Sequence, residues 1–239
     1  PMEQLVAQAE MLAQQGIKEL ILVAQETTLY GVDLYGSKKL PELMKKLCEI
    51  EGIAWIRLLY CYPEEITDEL IDTMKTEQKI LPYIDMPIQH ASDPILKRMG
   101  RRTSEKQIRG IVSKLRQEIP EICIRTTLIT GFPGETQEDY ETLYRFVNEL
   151  EFDRLGVFTY SAEEDTPAAL MPDQIDDSVK EQRRDEIMEL QQEIAFEKAE
   201  LMTNKVLDVM IEGRIVTENA YVARSYKDAP EVDGYVFVN

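Results

Sequence analysis

The sequence predicts an α/β protein: a partial (β/α) barrel, then a linker helix and an incomplete small β module. Three observations lead there. Five short β-rich apolar runs alternate with stretches of helical periodicity. Those runs are almost continuously apolar, as strands covered on both faces must be. After residue 160 the alternation stops, and loop-forming and acidic residues take over. The expected division is a barrel over residues 1–172, a linker helix over 173–203 and the start of a β module over 204–239.

Met2, Leu5, Ala9, Leu12 and Ala13 recur at helical spacing, and Gly16 ends that helix. Residues 17–24 (IKELILVA) form the first strand, and the loop from Gln25 to Gly36 leads to a helix over 40–51. Residues 53–60 (IAWIRLLY) are the second strand, with a helix near 64–76 after it. Residues 80–88 are the third strand. Ser92-Asp93-Pro94 opens the next helix, and Ser104 with Gln107 fits a capping box for another. Residues 122–129 (ICIRTTLI) are the fourth strand, followed by the turn Gly131-Phe132-Pro133-Gly134-Glu135 and a helix that Thr136 and Asp139 can cap. Residues 155–160 (LGVFTY) are the fifth. A parallel sheet with right-handed crossovers accounts for this order. Residues 176–202 form a helix with nine acidic and four basic residues, expected to be solvated. The stretches 205–213 and 221–239 read as strands too few to close a core of their own.

Composition narrows the class. A net charge of −18, from 45 acidic and 27 basic residues, opposes binding to nucleic acid and suits a basic protein partner. No apolar run approaches the ~20 residues of a membrane span. Cys48, Cys61 and Cys123 are widely spaced and odd in number, which suggests reduced thiols in a cytoplasmic protein rather than a disulfide framework. A chain that opens on Pro1 within a helical pattern reads as a piece of something longer.

In parallel α/β folds ligands bind beyond the carboxyl ends of the strands. The residues there are Gln25 and Glu26; Arg57, Tyr60 and Tyr62; Asp85, Gln89 and His90; Arg125, Thr127, Thr130 and the Gly131–Glu135 turn; and Tyr160, Ser161 and Glu163. Asp85, Gln89 and His90, the only histidine, either satisfy one another at a crowded turn or face a ligand. Arg57 and Arg125 lie in apolar runs and require anionic partners, either Glu26 or a ligand carboxylate. The glycine turn is either structural or lets backbone approach a flat ligand. No catalytic triad order, dinucleotide fingerprint or phosphate loop is present.

Several motifs in this order resemble the radical-SAM methylthiotransferases. They are Gln25-Glu26-Thr27-Thr28 with Tyr30-Gly31, Arg57-Leu58-Leu59-Tyr60, Asp85-Met86-Pro87-Ile88-Gln89-His90, Met99 with Arg101-Arg102, and Arg125-Thr126-Thr127 running into Gly131-Phe132-Pro133-Gly134-Glu135-Thr136. The tail from Ala223 to Gly234 is similar to the start of that family's terminal TRAM module. The resemblance is nearest to the branch that modifies an aspartate of a small-subunit ribosomal protein. It implies S-adenosylmethionine (SAM) held against a [4Fe–4S] cluster that splits it to a radical, and a second [4Fe–4S] cluster in the complete protein. It places Gln25 and Glu26 at the SAM amino group, and Thr127 through Gly131, Phe132 and Pro133 at the adenine. Arg57, Gln89 and Arg125 are placed elsewhere on the cofactor; Tyr30, His90, Arg101 and Arg102 fall on the substrate side. The CxxxCxxC ligands of such a cluster do not occur in this sequence. The expectation is therefore an inactive fragment without clusters, its missing strand and ligand loop upstream of Pro1. A tRNA-modifying relative and a non-catalytic, partner-binding barrel remnant are the alternatives.

Overall fold

A computed structural model describes residues 1–239. The elements are α1 (Met2–Gln14), β1 (Glu19–Leu22), α2 (Val32–Tyr35), α3 (Leu40–Cys48), β2 (Trp55–Leu58), α4 (Asp68–Thr76), β3 (Ile80–Asp85), α5 (Asp93–Arg98), α6 (Glu105–Glu118), β4 (Cys123–Thr130), α7 (Gln137–Leu150), β5 (Arg154–Thr159), α8 (Asp177–Glu200), β6 (Val209–Ile215), β7 (Ala220–Ser225) and β8 (Val236–Val238). The helix expected over 64–76 begins later, because Thr67 accepts a hydrogen bond from the Leu70 amide and caps α4 there. Ser104 and Thr136 each complete a capping box, with Gln107 and Asp139.

β1 to β5 form one parallel sheet in unreversed order. Right-handed crossovers in that order place every connecting helix on the same face. Alternate strand residues, including Ile56, Leu58, Ile84, Ile124 and Leu128, join the helices in a single core of 37 buried residues. The opposite, inner face is left for other occupants. β1 ends the sheet on one side and β5 on the other.

The charge pattern leads one to expect α8 to be solvated, and the structure corrects this. α8 lies against β5 and α7, and Ile187, Leu190 and Ile194 enter the main core. Lys180 and Arg183 are buried beneath it. A stripe three or four residues apart suffices to seat a helix, whatever the charge on its other faces.

The last three strands make an antiparallel sheet, β6-β7-β8. A sheet of three strands needs a hydrophobic face to pack, and this one finds it on the barrel's inner face. Ala229 joins Leu81, Tyr83 and Cys123 in a second apolar cluster. Glu19 bridges Arg57 and Arg224 at 2.7 Å each. Arg154 meets Asp228 at 2.6 Å. The module thus forms a floor under the amino-terminal half of the strands.

Candidate functional site at the carboxyl ends of the strands

The β1 and β2 loops are stitched together. Glu26 is half-buried; its Oε1 accepts from the Thr28 amide at 3.0 Å and its Oε2 from the Tyr62 amide at 3.0 Å. The Thr28 hydroxyl also donates to Oε1. The Thr27 amide donates to the Tyr60 carbonyl at 3.0 Å. Burial raises the pKa of Glu26, outweighing the hydrogen bonds from Thr28 and Tyr62 that favour the anion. Oε2 retains acceptor capacity, and Gln25 beside it is exposed. The Tyr30 hydroxyl is buried without a partner, and burial pushes it up to about 12. It borders, with Glu26 and Thr27, a largely apolar cavity of about 750 Å³ between α1, β1 and α3.

At β3 and β4, Asp85 is fully buried. Its Oδ1 accepts from Arg125 Nη1 at 2.9 Å and its Oδ2 from the Tyr60 amide at 3.0 Å. Burial raises the Asp85 carboxyl, against the Arg125 charge that lowers it. Gln89 sits at φ 70° and extends the β3–β4 pairing: its amide donates to the Thr127 carbonyl at 2.9 Å and its carbonyl accepts from Ile129 at 2.8 Å. Thr127 is half-buried.

The turn after β4 is braced by α8. Gly131 has φ 71°, and a Cβ there would lie 2.1 Å from Lys180 Cγ, so only glycine fits. Its amide donates to Glu135 Oε2 at 2.8 Å, while Glu135 Oε1 accepts from Arg183 Nη1 at 2.7 Å. Phe132 is buried edge-on against Tyr160, with ring centroids 5.2 Å apart, and Pro133 is buried beside it. The Tyr160 hydroxyl has no partner.

The structure brings Gln25, Glu26, Gln89, Gly131, Phe132 and Pro133 to one end of the sheet, leaves Thr127 inside β4, and separates others from that end. Arg57 is fully buried among floor residues: its Nε donates to Glu19 at 2.7 Å and its Nη1 to the Tyr226 carbonyl at 2.7 Å. Its anionic partner is thus Glu19, at the opposite end of β1 from Glu26. Arg125 pairs with Asp85 rather than Glu26. His90 is wholly enclosed, its Nδ1 accepting from the Ser92 amide at 2.9 Å and its Nε2 3.4 Å from Glu135. Asp85, Gln89 and His90 do not bond to one another; each serves a different neighbour. Arg101 stacks 4.4 Å over Tyr62 and donates to the Pro87 carbonyl, while Arg102 is exposed and meets Glu65 at 3.1 Å.

Two inner-face residues escaped the sequence reading. Gly156 lies beside Thr127 and Phe158 beside Ile129 in the β4–β5 register. Phe158 is 63% exposed, and a Cβ at Gly156 would meet nothing. Strand alternation from Arg154 onward was the available signal. Cys48, Cys61 and Cys123 do not converge, and no three His, Cys, Asp or Glu side chains could hold a metal. No helix is long and apolar enough to cross a membrane.

Residues 205–239 match the TRAM domain. Over all 239 residues the chain is 62% identical to the ribosomal protein uS12 methylthiotransferase RimO of Lachnoclostridium phytofermentans, covering 54% of that protein. Over 237 residues, 99% of the chain, it is 51% identical to the RimO of Alkaliphilus oremlandii, again covering 54%. The chain spans about half the length of the curated relatives it matches. Among solved structures, the fold is similar to coproporphyrinogen III oxidase (HemN) from Escherichia coli, described as a radical SAM enzyme. The TM-score is 0.60 at 19% identity, covering 81% of this chain and 46% of that one. Methylornithine synthase (PylB) gives 0.55 at 16% identity, over 80% of this chain and 53% of the other. With helices on one face only, polar groups at the strand ends and residues 1–147 matching the Radical SAM superfamily, the chain belongs to that superfamily.

Proposed function

We propose that this chain is the SAM-holding part of a cytoplasmic methylthiotransferase that modifies an aspartate of a small-subunit ribosomal protein. The observation that carries this reading is 62% identity along the entire chain to a relative named as a ribosomal protein uS12 methylthiotransferase; the aspartate follows from the resemblance alone. The net charge of −18 supports a basic protein substrate over tRNA.

The mouth suits an adenosyl sulfonium. Glu26 offers a carboxylate with spare acceptor capacity for the cofactor's ammonium, and Gln25 an exposed amide. The Gly131–Pro133 turn and the unpartnered Tyr160 hydroxyl form the adenine end. Thr127, Gly156 and Phe158 give an inner wall with room for a flat group. When bound, SAM supplies radical-generating and methyl-donating chemistry. The side chains present do not fit an iron–sulfur cluster: the thiols of Cys61 and Cys123 are buried, and burial raises the pKa of both. We therefore place both cluster ligand sets outside these 239 residues, and take the chain alone to be inactive.

Calorimetry with SAM tests the site. Glu26→Ala should weaken binding roughly 10- to 150-fold, the loss of a charge-assisted hydrogen bond. Unchanged affinity would remove Glu26 from the site. Mass analysis of ribosomal protein and tRNA after incubation with the cluster-loaded enzyme tests the substrate. Methylthiolation of tRNA alone would overturn the ribosomal reading.

A further inference from the structure

The floor module is linked to the mouth by an unbroken set of polar contacts. Asp233, in the module and almost fully buried, accepts from the Tyr83 hydroxyl at 2.7 Å and the Ala229 amide at 2.9 Å. Its Oδ1 lies 3.6 Å from Arg125 Nε. The other arm of the same guanidinium holds Asp85 Oδ1 at 2.9 Å. Asp85 in turn accepts from the Tyr60 amide at 3.0 Å through Oδ2, and from the Cys61 amide at 2.9 Å through its carbonyl.

Tyr60 is where this set reaches the candidate site. It stands at φ 59°, a conformation a non-glycine residue holds only when its surroundings fix it. Its carbonyl accepts from Thr27, and two residues on, the Tyr62 amide donates to Glu26. Arg125 is thus stretched between two carboxylates, one from the module and one from β3. A planar fork can serve both, which an ammonium cannot do with the same geometry. With only the Asp85 anchor, the one-fifth-exposed Arg125 side chain is free to turn toward solvent. Asp85 then becomes a buried carboxylate without its charge partner.

We infer that Asp233 is a positioning residue. Through Arg125 and Asp85 it fixes the Tyr60–Tyr62 turn, and with it Glu26, so that docking of the β module sets the shape of the cofactor site. Only the last link, to SAM, rests on the function proposed above.

Amide hydrogen exchange reads the earlier links without any ligand. Asp233→Asn should speed exchange at Tyr60 and Cys61 by about tenfold, the loss of the buried Asp233–Arg125 ion pair. Arg125→Lys should do the same, and it decides the matter if Asp233→Asn does not fold. Lys227→Met removes a module-to-barrel ion pair, with Asp153 at 3.2 Å, that does not touch Arg125; it should leave both amides unchanged. Unchanged exchange in the first two variants overturns the coupling, and so does an equal rise in Lys227→Met, which would mean general loosening. SAM affinity should fall about fivefold or more in Asp233→Asn and hold in Lys227→Met. Faster exchange with unaltered SAM affinity overturns the claim on the cofactor site. A wild-type chain that binds no SAM refutes the proposed function instead, while exchange still decides the coupling.

Discussion

Glu135 braces the turn after β4 from inside the fold. Its carboxylate is fully buried and divided among three groups: the Gly131 amide at 2.8 Å, Arg183 Nη1 at 2.7 Å and His90 Nε2 at 3.4 Å. Arg183 is itself only 9% exposed. Glu135→Ala therefore strands a buried guanidinium and orphans a buried amide. Breaking a buried pair from one side costs about 3–5 kcal/mol, against a total of roughly 5–15 kcal/mol for a domain. Glu135→Gln keeps an acceptor for Gly131 and the side-chain volume but loses the charge, so about 1–3 kcal/mol is expected. Urea unfolding, followed by circular dichroism and by fluorescence of Trp55, the only tryptophan, measures both. The alanine midpoint should drop by about 1–2 M. In a double-mutant cycle, adding Arg183→Met to Glu135→Gln should recover part of the loss, with a coupling of about 2 kcal/mol. An alanine variant within about 1 kcal/mol of wild type would refute the claim that this pair holds α8 to the turn.

Three further outcomes are expected. Gly131→Ala should cost about 2–4 kcal/mol, because left-handed backbone strain adds to overpacking against Lys180; the same urea series checks it. SAM affinity should fall as pH drops from neutrality through the raised pKa of Glu26, where the carboxyl becomes neutral, and Glu26→Gln should flatten that profile in calorimetry. The folded carboxyl holds its proton more tightly than the unfolded one. Its contribution to stability therefore runs the other way, full below the ordinary carboxylate range and lost as pH rises through the raised value. Finally, iodoacetamide at pH 8 should alkylate half-buried Cys48, its thiol pushed up to about 11, about a hundredfold more slowly than a free thiol, and should spare Cys61 and Cys123 until the chain unfolds. Mass analysis of the peptides reads all three sites.

The sequence by itself determined the five parallel strands and the capped helices. These depend on local periodicity and on side chains three residues apart, as at Ser104 and Gln107. It also placed Gln25, Glu26 and the Gly131 turn at the strand ends, because chain direction alone decides which end of a parallel strand a loop occupies. Only the tertiary structure decided partners. Arg57 reads identically whether it meets Glu26 or Glu19, and packing against the β module chose Glu19. Lys180 and Arg183, half a hundred residues from the turn they support, look like surface charge until α8 is laid against β5. The small β module could not be given a core from its own residues, since the core it uses belongs to Tyr83 and Cys123 on the barrel's inner face. Periodicity reports which way a side chain faces along its own element; what lies opposite is set by contacts distant in sequence, which leave no local signal.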